Sequence, residues 1–191
     1  RMCWDVAPIG SDEYVASSGI TQMCDENTFS TLQMVHSVFQ YNRTTPPQKK
    51  INILYKDCTE ILEKMVTACG YELDKVIRFK FNFIQPHPRF KKGMYNTPHV
   101  DSEEIAMDTN GEETEYYVIL FYIENSDGDT FLFNEMYDKK QLRTKKFTIA
   151  DRITPKANRC VMFNGNRYHA GSNPIEYNYR IVLNCNFTVK K

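Results

Sequence analysis

The sequence predicts a mainly β fold, a small sandwich or barrel with helix packed outside it, and three observations predict it. The 12 Tyr and 12 Phe fall largely in short alternating runs, the pattern of half-buried strands. From residue 76 onward such runs follow one another with turn signals between them. Ahead of them stands one amphipathic segment of helical period, whose natural place is the outer face of a sheet. A chain of 191 residues suits one domain with a sizeable core. We expect residues 1–75 to be a supporting segment and 76–191 the core.

Taken in order, the first thirty residues mix Gly, Ser, Asp and Glu with isolated apolar residues and read as loop with a short strand. Residues 31–41 fit two periods: Leu32, Val35, Val38 and Phe39 make a helical face, while Val35, Phe39 and Tyr41 make a strand face. Pro46-Pro47 is a break. Residues 50–69 then read as a helix with Ile51, Leu54, Cys58, Ile61, Leu62 and Met65 in one stripe and Gly70 as its stop. Residues 76–84 alternate, with Phe79, Phe81 and Phe83 on one face and Arg78, Lys80 and Asn82 on the other. Residues 116–124 are nearly continuous in apolar residues, as in a central strand covered on both faces. The turn Asn125-Ser126-Asp127-Gly128-Asp129 into 130–135 has the look of a hairpin. Strands over 146–153, 159–164 and 180–187 complete the set.

Charge and cysteine usage narrow the function classes. Lys plus Arg and Asp plus Glu are both 24, and this balance disfavours a dedicated nucleic-acid binder. The six cysteines form no C-x-x-C pair, hence no zinc signature and no redox dithiol; free thiols in a reducing cytoplasm are the expectation. No apolar stretch approaches the roughly 18 residues of a membrane span, and no signal-peptide core is seen. The start at Arg1-Met2 fits a trimmed chain or a few vector-derived residues.

The chemistry rests on four residues. His99 stands two positions before Asp101 in T-P-H-V-D, and at strand spacing their side chains share a face. His169 lies 70 residues after His99, read as the end of a strand where a turn begins. Two His and one carboxylate form a facial triad that leaves three cis positions open, which suits iron binding a co-substrate and dioxygen. Arg180 opens the last strand eleven residues after His169, and its planar fork fits a carboxylate held beyond the metal. Val182, Asn184 and Asn186 share its face, and such a face inside a barrel must line a polar site.

These motifs carry a resemblance. P-H-V-D (98–101), G-D-T-F-L-F-N-E (128–135), N-R-C-V-M-F-N-G (158–165), R-Y-H-A-G-S-N-P (167–174) and Y-R-I-V-L-N-C-N-F (179–187) are similar, in order and spacing, to the Fe(II)/2-oxoglutarate-dependent dioxygenases. The likeness is to small prolyl 4-hydroxylase-like members, including those of phages and other viruses. It implies a double-stranded β-helix (jelly-roll, cupin-like) core over 76–187 with flanking helices. It also implies Fe(II) held by His99, Asp101 and His169, 2-oxoglutarate anchored by Arg180, and dioxygen as oxidant. Asn82, Tyr117 and Asn184 are the further candidates for contact with the co-substrate. Collagen-type prolyl hydroxylases carry Lys at the anchor, so Arg180 departs from them. The implied activity is hydroxylation of a protein, peptide or amino-acid-like substrate, prolyl among them, in the cytoplasm, or the host cytoplasm for a viral chain. The alternatives are a nucleobase-demethylating dioxygenase of the same fold, which the acidic segment beside Asp101 disfavours, and a non-catalytic cupin-like binding module, whose H-x-H pattern the chain lacks.

Loops should select the substrate. Residues 101–115 hold seven acidic residues and no basic one; as a lid they would favour a cationic substrate, though a solvated loop is the plainer reading. The basic run 139–146 and His87, between Pro86 and Pro88, read as exposed loop.

Overall fold

The computed structural model describes residues 5–8, 28–29, 31–41, 52–102, 106–138 and 147–190. Eleven strands and one helix are assigned among them: β1 (Asp5–Pro8), β2 (Leu32–Gln40), α1 (Tyr55–Ala68), β3 (Leu73–Ile84), β4 (Ala106–Met107), β5 (Glu113–Thr114), β6 (Tyr117–Tyr122), β7 (Thr130–Met136), β8 (Ile149–Ile153), β9 (Arg159–Asn164), β10 (Arg167–Gly171) and β11 (Arg180–Val189). The larger sheet runs β1-β2-β3-β11-β6-β9, the smaller β10-β7-β8, and every pairing is antiparallel. Past β3 the chain alternates between sheets: β6 in the larger, β7 and β8 in the smaller, β9 back, β10 across, β11 back. That winding is the expected double-stranded β-helix. Residues 31–41, open between two periods, form β2, because β1 and β3 pair it on both edges.

Alternation sorts each strand's side chains to opposite faces, and three apolar layers follow. Outside the larger sheet, Cys58, Leu62, Met65 and Val66 of α1 meet Phe79, Ile119, Leu183, Cys185 and Phe187. Between the sheets lie Val118, Leu120, Leu132 and Phe163, with Tyr116 and Ala106 at one end. Outside the smaller sheet sit Tyr95, Phe131, Phe133, Tyr168 and Ala170. The helix begins five residues later than the expected start at residue 50, and Gly70 follows its end at φ 85°, a left-handed stop that suits glycine. Ile61 is 38% exposed, so the buried stripe passes through Leu62 and Val66 instead. Leu62 is fully buried; Leu62→Ala should cost about 2–5 kcal/mol in urea unfolding, with the site between the sheets unaltered.

The expected hairpin at 125–129 is not formed. β6 pairs with β11 and β9, whereas β7 pairs with β10 and β8, so this turn carries the chain from one sheet to the other. Its residues face the loop before β11: Asp127 accepts the backbone N–H groups of Ile175 and Glu176. The run 139–146 lies outside the described residues, as do Cys3 and Cys24; Cys58, Cys69, Cys160 and Cys185 are free thiols. No helix among the described residues is long and apolar enough to cross a membrane.

Candidate metal centre

His99 and His169 meet across an antiparallel bridge. Each backbone N–H donates to the other's carbonyl at 2.9 Å, and directly opposed residues project to the same side. Their ring centroids stand 4.6 Å apart. His169 is thus the middle residue of β10 and not its end, flanked by Tyr168 and Ala170, which turn outward into the Tyr95 cluster. Asp101, two residues beyond His99, turns to the same interior. One ligand atom from each of His99, Asp101 and His169 lies within 4.8 Å of the others.

The ring orientations suit coordination. His99 Nδ1 lies 3.0 Å from the Thr97 carbonyl and His169 Nδ1 3.3 Å from the Arg167 carbonyl. A carbonyl only accepts, so each Nδ1 carries a proton and each Nε2 is the atom turned toward the interior, the orientation found in metal-bound histidines. His169 is buried, its ring 5.0 Å from Phe163. Burial first, and the neighbouring His99 second, push its pKa down to about 3, so the imidazole is neutral and able to ligate.

Asp101 is the most heavily held side chain of the site. Its Oδ1 accepts from Arg78 at 2.5 Å and faces Lys80 at 3.5 Å; its Oδ2 accepts from Asn184 at 2.9 Å and Asn186 at 3.0 Å. Burial alone would raise its pKa, but Arg78, then Lys80, His169 and His99 outweigh it and hold the carboxyl well below the usual carboxylate range. These donors come from two paired strands: Asn184 stands opposite Lys80, and Asn186 opposite Arg78. Tyr116 braces the following residue, its hydroxyl accepting from the Ser102 N–H at 3.2 Å and lying 2.6 Å from the Gly165 carbonyl.

Arg180 is 3% exposed. One of its Nη atoms donates to Thr130 Oγ1 at 2.8 Å, which Tyr122 also reaches at 2.8 Å. Its Nε is buried with no hydrogen-bond partner, and no ion pair to it is found among the described residues. Nearby Asp129 is engaged with Arg152. Two glycines leave room for the guanidinium: a Cβ on Gly128 would stand 2.9 Å from Arg180 Cδ, and one on Gly171 3.2 Å from Nη1. Gly171→Ala should therefore crowd the fork and weaken the binding of a carboxylate ligand there about tenfold, read by calorimetry, with the fold retained.

The candidates from sequence divide accordingly. Asn82 faces the interior from β3, opposite Val182, with its Oδ1 buried and unpartnered. Asn184 is in the site, but its amide is engaged by Asp101 and Asn186, which makes it a support for the carboxylate. Tyr117 is not brought there. It is one residue out of phase with Val118 and faces α1's side of the sheet, against Phe187 and Tyr71. Arg78, Lys80 and Thr130 are site residues that the sequence reading does not single out, and Asn186 enters it only as part of the polar face of Arg180. The alternation of Arg78, Lys80 and Asn82 opposite three Phe was the available signal. The described part of the acidic segment, β4 and β5, forms a hairpin tied by Thr109 to Asp74 at the start of β3, and His87 is a half-buried loop residue beside Phe29.

The donor set fits the cofactors the sequence implied: two imidazoles and a carboxylate suit Fe(II) with open positions, and a buried guanidinium with no ion pair among the described residues suits a diacid. The comparisons agree. Residues 85–188 match the model of the 2OG-Fe(II) oxygenase superfamily. An oxidoreductase of the 2OG-Fe(II) oxygenase family from Burkholderia pseudomallei shares the fold at TM-score 0.58 and 11% identity, over 98% of this chain and 74% of that one. The non-haem α-ketoglutarate-dependent epimerase SnoN of nogalamycin biosynthesis does so at TM-score 0.52 and 11% identity, over 98% and 78%. No curated protein matches by sequence. By a family match that spans more than half its length, the chain belongs to the 2OG-Fe(II) oxygenase superfamily, enzymes that use Fe(II), 2-oxoglutarate and dioxygen.

Proposed function

We propose that the chain is a 2-oxoglutarate-dependent hydroxylase of a protein, peptide or amino-acid-like substrate, with His99, Asp101 and His169 as its metal ligands and Arg180 as the co-substrate anchor. The observation that carries this reading is the convergence of the three ligand atoms within 4.8 Å in the same interior that holds an anion-seeking Arg180. The motifs resembling small prolyl 4-hydroxylase-like proteins, viral ones included, support the substrate class, and the free thiols support a reducing, cytoplasmic setting.

When bound, the iron, co-substrate and dioxygen supply the oxidising chemistry, with 2-oxoglutarate converted to succinate and carbon dioxide as substrate is hydroxylated. The chain's own part is placement. The backbone carbonyls of Thr97 and Arg167 fix the imidazole tautomers; Asn184 and Asn186 fix the carboxylate. Arg180, with Thr130 and Tyr122, receives the far carboxylate of the co-substrate. A half-turn of the Asn82 amide presents Nδ2 to an acceptor ligand. Val118, Leu120, Leu132 and Phe163 keep water from the interior.

Anaerobic addition of Fe(II) and 2-oxoglutarate tests the assignment. A visible metal-to-ligand charge-transfer band is expected with the wild type and none with His99→Ala. An undiminished band in that variant would remove His99 from the ligand set.

A further inference from the structure

We infer that Arg78, assisted by Lys80, is the recognition site for a carboxylate on the substrate. The inference rests on the ligand and anchor assignment above and narrows the substrate class to anionic molecules.

Three buried side-chain polar atoms lack a partner among the described residues: Arg180 Nε, Asn82 Oδ1 and Arg78 Nε. All three face the space between the sheets. Arg180 is accounted for by the co-substrate and Asn82 lies on the way to it. Arg78 is not. Its side chain is 13% exposed, and a guanidinium offers five donors, of which a single Nη is given to Asp101.

Position separates Arg78 from the anchor. Along β11, Arg180 and the Asn186 that faces Arg78 are six positions apart, about 20 Å of strand. A five-carbon diacid held by Arg180 therefore leaves Arg78 for another ligand. Asp101 lies at the Arg78 end, held by Asn184, Asn186, Arg78 and Lys80, so a substrate at the metal meets Arg78 and not Arg180.

Charge counting gives the sign of that ligand. A divalent metal, Arg78 and Arg180 together bring four positive charges; Asp101 and doubly ionised 2-oxoglutarate bring three negative. One positive charge is left in a largely buried space even when Lys80 is counted as neutralised. Low-dielectric surroundings make such an excess costly unless an anion completes it. The planar fork makes a carboxylate the best match. Residues 101–115, acting as a lid, would favour the opposite, a cationic substrate. Yet the described acidic segment past Ala106 is fastened to Asp74 and Tyr117 on the outer surface, whereas the interior charges beside Asp101, those of Arg78 and Lys80, are basic.

Paramagnetic line broadening tests this without turnover. The full chain is loaded with Mn(II) and saturating 2-oxoglutarate, and the acetyl resonance is followed for N-acetylglycine, N-acetylglycinamide and N-acetylaspartic acid bearing an α-amide. Both acids should be broadened at concentrations about tenfold lower than the neutral amide. Preference between them tells a terminal carboxylate from a side-chain one. Arg78→Gln should abolish the discrimination between acid and amide and Arg78→Lys restore part of it, each variant being compared at Mn(II) and 2-oxoglutarate concentrations that saturate it. Equal broadening of acid and amide by the wild type overturns the proposal. So does a parallel loss of Mn(II) binding in Arg78→Gln, which would make Arg78 a positioning residue for Asp101. If Mn(II) binding is the same in the wild type and His99→Ala, the ligand assignment itself fails, a result separate from either.

Discussion

Asp101→Ala is expected to lose metal binding and, in the metal-free protein, about 3–5 kcal/mol of stability. The two losses have different origins. The first is the removal of the carboxylate proposed as a metal ligand. The second arises because Asp101, its side chain 1% exposed, is the anion between Arg78 and Lys80, which are 13% and 16% exposed. Removing it leaves the Arg78 guanidinium in low dielectric without its ion-pair partner, takes a counter-charge from Lys80, strands the Nδ2 donor of Asn184 and removes one of the two bonds of Asn186 Nδ2. Against a typical total of about 5–15 kcal/mol, that is a large share. His169→Ala separates the effects: it should abolish metal binding while costing less, because a neutral imidazole leaves no unpaired charge behind. Urea unfolding of both variants without metal reads the difference. Equal midpoints would mean that Asp101 is not the keystone of that cluster. A double-mutant cycle with Arg78→Met should return part of the loss, since removing the cation removes the need for its partner.

The four donors around Asp101 show what could be read before the structure and what could not. Strand alternation was enough to place Arg180, Asn184 and Asn186 on one face and Arg78, Lys80 and Asn82 on another. Periodicity does not say which strands are neighbours. Only the pairing of β3 with β11 joins those two faces into a single polar floor. The same gap explains the turn at 125–129. Its composition suits a hairpin, but β6 is buried on both faces and takes β11 and β9 as partners, so the turn serves as a crossing between sheets. Tyr117 fails by phase: in a run apolar on both faces, nothing in the sequence marks which half looks inward. His99, Asp101 and His169 were legible because the i, i+2 spacing fixes two of them on one face whatever the partners. Chain order and Arg180 supplied the rest.

Arg180→Met should abolish the response to 2-oxoglutarate without harming the metal-free fold. Two charge-assisted hydrogen bonds to a carboxylate are worth about 1.5–3 kcal/mol each, so their loss should weaken co-substrate binding by about a hundredfold or more. The fold has little to lose. Arg180 is 3% exposed, donates to Thr130 and has no ion pair among the described residues. Thr130 keeps its bond from Tyr122. An apolar side chain of similar length in place of a buried, unpaired charge is neutral or stabilising, by about 1–4 kcal/mol in comparable cases. Thermal unfolding with Mn(II) reads both halves of the argument. At a hundred times its Kd, 2-oxoglutarate should stabilise the wild type by about 2.7 kcal/mol, and at the same concentration it should leave Arg180→Met where it was. If the variant is instead less stable than the wild type before any ligand is added, Arg180 holds the strands together and the anchor must be sought elsewhere. If it is more stable, the cost of keeping a guanidinium buried without an anion is the measure of how strongly this interior is built for one.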